Sequence, residues 1–133
     1  MATLNVMRTK RLREFLRYAL VLFMLFAGLN HFIHPQFYLP LIPDYFPFPQ
    51  IINVVSGALE VILSLFLLNK TLKRVGVYGI LLLLVVFIPS HVHFIQLGAC
   101  VEDGLCTPLW VAWVRLLVIH PIVLLWVWAI RKT

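Results

Sequence analysis

Residues 51–68 read IINVVSGALEVILSLFLL, residues 69–74 read NKTLKR, and residues 75–96 read VGVYGILLLLVVFIPSHVHFIQ. Two long apolar runs are thus joined by a short turn that carries Lys70, Lys73 and Arg74. A helix that crosses a bilayer needs about 20 mostly apolar residues, and both runs are of that length. Irregular backbone cannot face hydrocarbon, because its N–H and C=O groups would lack partners. The stretch therefore reads as a helical hairpin through a membrane, with its basic turn on one side. Outward from it, Leu12–Ile33 and Leu109–Ile130 repeat the apolar pattern. The expected fold is all-α: a four-helix transmembrane bundle with spans at about 12–33, 51–68, 75–96 and 109–130. Short connections favour up-down-up-down topology, and residues 1–133 form one domain.

Composition agrees. The chain is 62% hydrophobic and 12% charged, against about 45–50% and about 25% in soluble domains. Its net charge of +6 would raise nucleic acid as a partner for a soluble protein. Here the cations cluster between apolar runs, so the expected partner is the lipid bilayer and not nucleic acid. Arg8, Lys10 and Arg11 precede the first span, Arg13 and Arg17 lie at its start, and Arg131 and Lys132 follow the fourth. Together with the turn at 69–74 they lie at one end of the bundle. The other two connections hold Asp44, Glu102 and Asp103 and no Lys or Arg. Positive loops stay cytoplasmic, which predicts both termini inside and residues 35–50 and 97–108 outside. The basic N-terminus followed by an apolar run is like a signal peptide. The run is too long for one and lacks an A-x-A site, so it reads as a retained first span.

The first outer connection, Pro35–Gln50, is aromatic and contains five prolines, which forbid a long helix. It reads as an interfacial segment, either a lid packed on the outer end of the bundle or an anchor at the headgroups.

Ionisable groups at membrane depth are costly and point to function. Glu60 lies near the middle of the second span, roughly 15 Å from its outer end at the helical rise. Arg115 lies about 10 Å into the fourth span from the same end. Their similar depth predicts a Glu60–Arg115 pair. Asn30, His31, His34, Asn53, Ser56, Ser90, His91, His93 and His120 fall in the same outer half. Asn53, Gly57, Glu60 and Ser64 share one helix face, as do Ala27, His31 and His34. Small residues on these stripes permit close helix approach. Pro89 and Pro121 remove backbone donors beside the polar groups and predict kinks. The pattern predicts a polar cavity open toward, or capped at, the outer face. Its candidate ligand-binding residues are Asn30, His31, Glu60, His91, Arg115 and His120. His91 and His93 point to different sides of their helix, and His93 reads as interfacial. No H-x-x-E-H, H-E-x-x-H or C-x-x-C-H spacing occurs, so neither a metal nor a haem is expected.

Cys100 and Cys106 flank a short acidic loop. Outside the cytoplasm such a pair oxidises. The expected disulfide is either a staple for the loop or a pair that exchanges with a partner or a quinone. Glu102 and Asp103 disfavour a thiolate nearby and slow exchange.

The run Gly28-Leu29-Asn30-His31-Phe32, then Pro35, Tyr38, Pro43 and Pro47, then Ser56-Gly57-Ala58-Leu59-Glu60, resembles the DoxX family of small four-span membrane proteins. The basic turn, Pro89, and Trp113-Val114-Arg115-Leu116 extend the likeness over nearly the whole chain. Ser90-His91-Val92-His93 and the cysteine loop depart from the family pattern. The resemblance implies a four-helix bundle in the bacterial inner membrane and an association with redox chemistry. The expected function is then a redox-associated membrane protein whose outer cavity takes a quinone-like ligand. The alternative is a non-enzymatic scaffold or assembly factor for another membrane protein.

Overall fold

The computed structural model describes residues 2–133, with side chains from Asn5 onward. Among the described residues, four helices are long and apolar enough to cross a membrane: Asn5–Ile33, Pro49–Phe66, Lys73–Gln96 and Leu109–Lys132. They form the expected up-down-up-down bundle, so this is a membrane protein of four helical spans.

The first span is α1, Ala2–Ile33. It starts well before the predicted Leu12, because a nucleated helix propagates through good formers such as Met, Arg and Lys. After His34 the chain makes a short helix, α2 (Pro35–Tyr38), and a 3₁₀ turn, Leu39–Leu41. The second span, α3 (Pro49–Phe66), opens with proline at its first position, where the missing N–H costs nothing. Phe48 turns the chain into it with a left-handed backbone, φ 57°. The span ends at Phe66 and not at Leu68, because Leu67 and Leu68 tighten into bonds to Ser64 and Leu65. Asn69 Oδ1 then accepts from the N–H groups of Thr71 and Leu72, which starts the third span.

That span is two helices, α4 (Lys73–Val86) and α5 (Ile88–Gln96), broken at Phe87. Pro89 can donate no bond to the preceding turn, and the break falls there, as predicted. α5 ends on Gly98, φ 75°, with Ala99 N–H bonded to the Phe94 carbonyl and Gly98 N–H to that of Ile95. This paired termination turns the chain into a small hairpin, Ala99–Thr107, closed by the Cys100–Cys106 disulfide.

The fourth span is interrupted as well. α6 (Leu109–Val114) leads into a π-turn, Arg115–Ile119, and α7 (His120–Ala129) follows. A kink at Pro121 is the expectation from sequence. The structure takes up the lost donor one turn earlier, with the His120 N–H reaching back to the Arg115 carbonyl.

α1 and α3 pack along their length. Their backbones touch at Gly28 and Gly57, where an added Cβ on Gly57 would lie 2.9 Å from the Gly28 carbonyl oxygen. The apolar core lies at mid-depth and toward the basic end, around Leu20, Met24, Leu67, Ile80 and Val127. There Trp126 Nε1 donates to the Leu16 carbonyl (2.9 Å), fastening the fourth span to the first. A smaller cluster of Leu41, Phe94, Ala99 and Ala112 closes the opposite end. The first span meets the fourth chiefly through α7 and the last turn, near the basic end. The two helical pairs diverge toward the other end, and the Leu39–Leu41 turn packs on both α3 and α5 across the opening.

The Pro35–Gln50 segment is therefore a lid. Its Leu41 and Pro43 are buried, while its Tyr45 and Phe48 stay exposed.

Candidate functional site

A cavity of about 450 Å³ lies between the diverging pairs, under the lid. That is within the roughly 300–1,000 Å³ of ordinary ligand pockets. Its mid-depth wall is apolar, with Phe23, Met24, Leu84, Phe87 and Val123. Its lid-end wall is polar and includes His31, Asn53, Ser56, Glu60, Ser90, His91, Arg115 and His120. Eight of the polar residues read at this end of the bundle thus line one cavity.

The wall contributed by spans one and two is tightly organised. Asn53 Nδ2 donates to the His31 carbonyl (3.0 Å), a group left without an intrahelical partner at the end of α1. That bond sets the amide orientation, so Asn53 Oδ1 accepts from His31 Nδ1–H at 2.8 Å. With its proton at Nδ1, His31 turns Nε2 toward Glu60 Oε2, 3.7 Å away. A bare ring nitrogen facing a bare carboxylate oxygen would set two lone pairs against each other. One proton, on Nε2 or on Oε2, removes that repulsion. In either placement the His31–Glu60 unit carries no net charge. Glu60 is 5% exposed, and its Oε2 has no hydrogen bond among the described residues.

This arrangement corrects the predicted Glu60–Arg115 pair. The partner of Glu60 is His31, because the Gly28–Gly57 contact brings α1 against α3 at that level: an added Cβ on Gly28 would sit 2.9 Å from Glu60 Cβ. Arg115 lies on the opposite wall, its guanidinium 5.9 Å from the Phe94 ring centre. Among the described residues it makes no ion pair.

The π-turn places Arg115. In an α-helix, residues five apart lie about 140° apart around the axis. An i→i+5 turn sets them nearly one above the other, so Arg115 and His120 both face the cavity. His91 joins them from α5, its ring 4.8 Å from that of His120 in an edge-to-face contact. His120 Nε2 is buried without a hydrogen-bond partner among the described residues.

Of the six candidate residues, His31, Glu60, His91, Arg115 and His120 line the cavity. Asn30 does not. Its Nδ2 donates to the Tyr38 hydroxyl (2.9 Å) and holds the lid. Tyr38, which nothing in the sequence marked as a site residue, stacks on His31 with ring centres 3.6 Å apart. Its sequence signals are its place among the lid aromatics and in the run that carries the family resemblance, and neither points to a site role. His34, predicted to share the inward stripe, is exposed and faces Phe37, because α1 ends at Ile33 and the helical face is lost there. No three His, Cys, Asp or Glu side chains come together as a metal-ligand set among the described residues.

The fold and the cavity define a four-span membrane protein with a lidded polar site at one end. The chain belongs to the family described as a domain of unknown function (DUF8561), which it matches over residues 20–131. No curated protein and no solved structure matches it.

Proposed function

We propose that this is a DoxX-like, redox-associated protein of the bacterial inner membrane, with both termini cytoplasmic, whose cavity binds a lipid-soluble, polar-headed ligand of quinone type. The observation that carries the reading is the convergence of His31–Glu60 on one wall and Arg115, His91 and His120 on the other, above an apolar floor. Two opposed sets of hydrogen-bonding groups suit a head with oxygen atoms on both sides. Arg115 and the histidines act as donors to those oxygens. The His31–Glu60 unit holds a proton that it can give up or regain as the head changes its own proton count. The Cys100–Cys106 disulfide is a second redox group at the same end of the bundle. Its reduction to two thiols takes two electrons and two protons, the number a quinol releases on becoming a quinone.

Two measurements test this. A short-tailed benzoquinone is titrated into purified protein in nanodiscs, and saturable binding weakened in Glu60→Gln is expected. An alkylation gel shift of Cys100 and Cys106 in membranes, with and without quinol, then reports the thiols. Unchanged binding in Glu60→Gln removes Glu60 from the site. A disulfide that stays oxidised under every condition makes the pair a staple.

A further inference from the structure

The two walls of the cavity differ in charge. The His31–Glu60 unit is neutral as a whole, because Asn53 fixes the His31 proton at Nδ1 and one further proton serves the pair. Among the described residues, Glu60 is the only carboxylate lining the cavity. Arg115 stays protonated at any physiological pH, and His91 and His120 can add positive charge but no negative charge. The cavity therefore holds a net cation at membrane depth, where an unpaired charge is costly. Arg115 has no carboxylate within 4.0 Å among the described residues.

The cavity also reaches the lipid-facing surface. Phe23 on the first span and Ile119 on the fourth both line it, and they are 46% and 49% exposed. They stand where these two spans diverge. Polar groups lie toward the lid end and apolar groups at mid-depth, which is the orientation of a lipid in the adjoining leaflet: head at the interface, tail toward the midplane.

We infer that the cavity takes a single-chain amphiphile with an anionic head, a fatty carboxylate in chemical class, which enters sideways between the first and fourth spans and sets its head against Arg115. The head supplies the negative charge that the protein lacks there, through charge-assisted hydrogen bonds to the guanidinium. The tail lies on Met24, Phe87 and Val123. The inference rests on the reading of this cavity as a ligand site, and not on the ligand being redox-active.

The test uses the full chain in phosphatidylcholine nanodiscs, at a pH where the free acid is ionised. Displacement of a pyrene-labelled hexadecanoate is measured with hexadecanoate, with hexadecanol and with a short-tailed benzoquinone. Hexadecanoate should compete about tenfold or more better than hexadecanol, the least a charge-assisted hydrogen bond gives. Arg115→Gln should erase that difference and Arg115→Lys should keep most of it. Equal competition by acid and alcohol in the wild type overturns the inference, and needs no variant to fold. Should the quinone bind while acid and alcohol compete equally, the inference falls and the quinone reading stands. Charge-selective acid binding with no quinone binding does the reverse. With no saturable binding of any probe, both fall.

Discussion

Replacing Gly57 by Ala should push the first two spans apart and dismantle one wall of the cavity. The added methyl would lie 2.6 Å from His31 Cβ and 2.9 Å from the Gly28 carbonyl oxygen. Neither neighbour can rotate away, since one is fixed to the backbone and the other is part of it. Ordinary carbon contacts are about 3.5–4.0 Å, so the helices must separate locally by about 1 Å. The 2.8 Å bond from His31 to Asn53 would then stretch to nearly 4 Å, beyond hydrogen-bonding range. Overpacking of this kind costs about 1–3 kcal/mol, and the lost bond about 1 kcal/mol more. Alanine's better helix propensity returns about 1 kcal/mol. The net loss is about 1–3 kcal/mol, with the steric term deciding the sign. Equilibrium unfolding in mixed micelles measures it, and nitrogen chemical shifts of His31 report whether Nδ1 still holds its proton. A variant as stable as the wild type, with the His31 tautomer unchanged, would refute the reasoning.

Other outcomes follow from single contacts. Glu60→Gln should keep the fold at wild-type stability or slightly above, because the amide N–H can donate to His31 Nε2; a loss above about 2 kcal/mol in micelle unfolding would contradict the proton assignment. Asn30→Ala removes the bond to Tyr38 and should speed proteolysis within Phe37–Phe48 severalfold, whereas unchanged cutting would mean the lid is held by packing alone. Replacing both Cys100 and Cys106 by Ser opens a short loop and should cost about 2 kcal/mol in the chain-entropy account, read as a lowered unfolding midpoint. Trp126→Phe loses the bond to Leu16 and should cost about 1 kcal/mol while leaving ligand binding at the lid end intact.

The sequence alone determined the four spans, their up-down order and the end at which polar residues gather. Each of these is a property of local segments: span length and hydropathy for the helices, short connections for the order, and residue identity along the rise for the depth. The faces of α3 were legible too, since Asn53, Gly57, Glu60 and Ser64 recur at helical steps and all are buried. What could not be read was which groups meet. Glu60 and Arg115 lie at similar depth, and depth alone paired them. The tertiary structure gave Glu60 to His31, because two glycines let α1 and α3 touch at that level and nowhere does sequence spacing encode which helix lies beside which. Arg115 faces the cavity with His120 because the helix widens into a π-turn ahead of Pro121, a change of backbone hydrogen bonding that a fixed 3.6-residue period cannot show. Tyr38 entered the site for the same kind of reason: the lid folds back over α1, and only that return places its ring on His31.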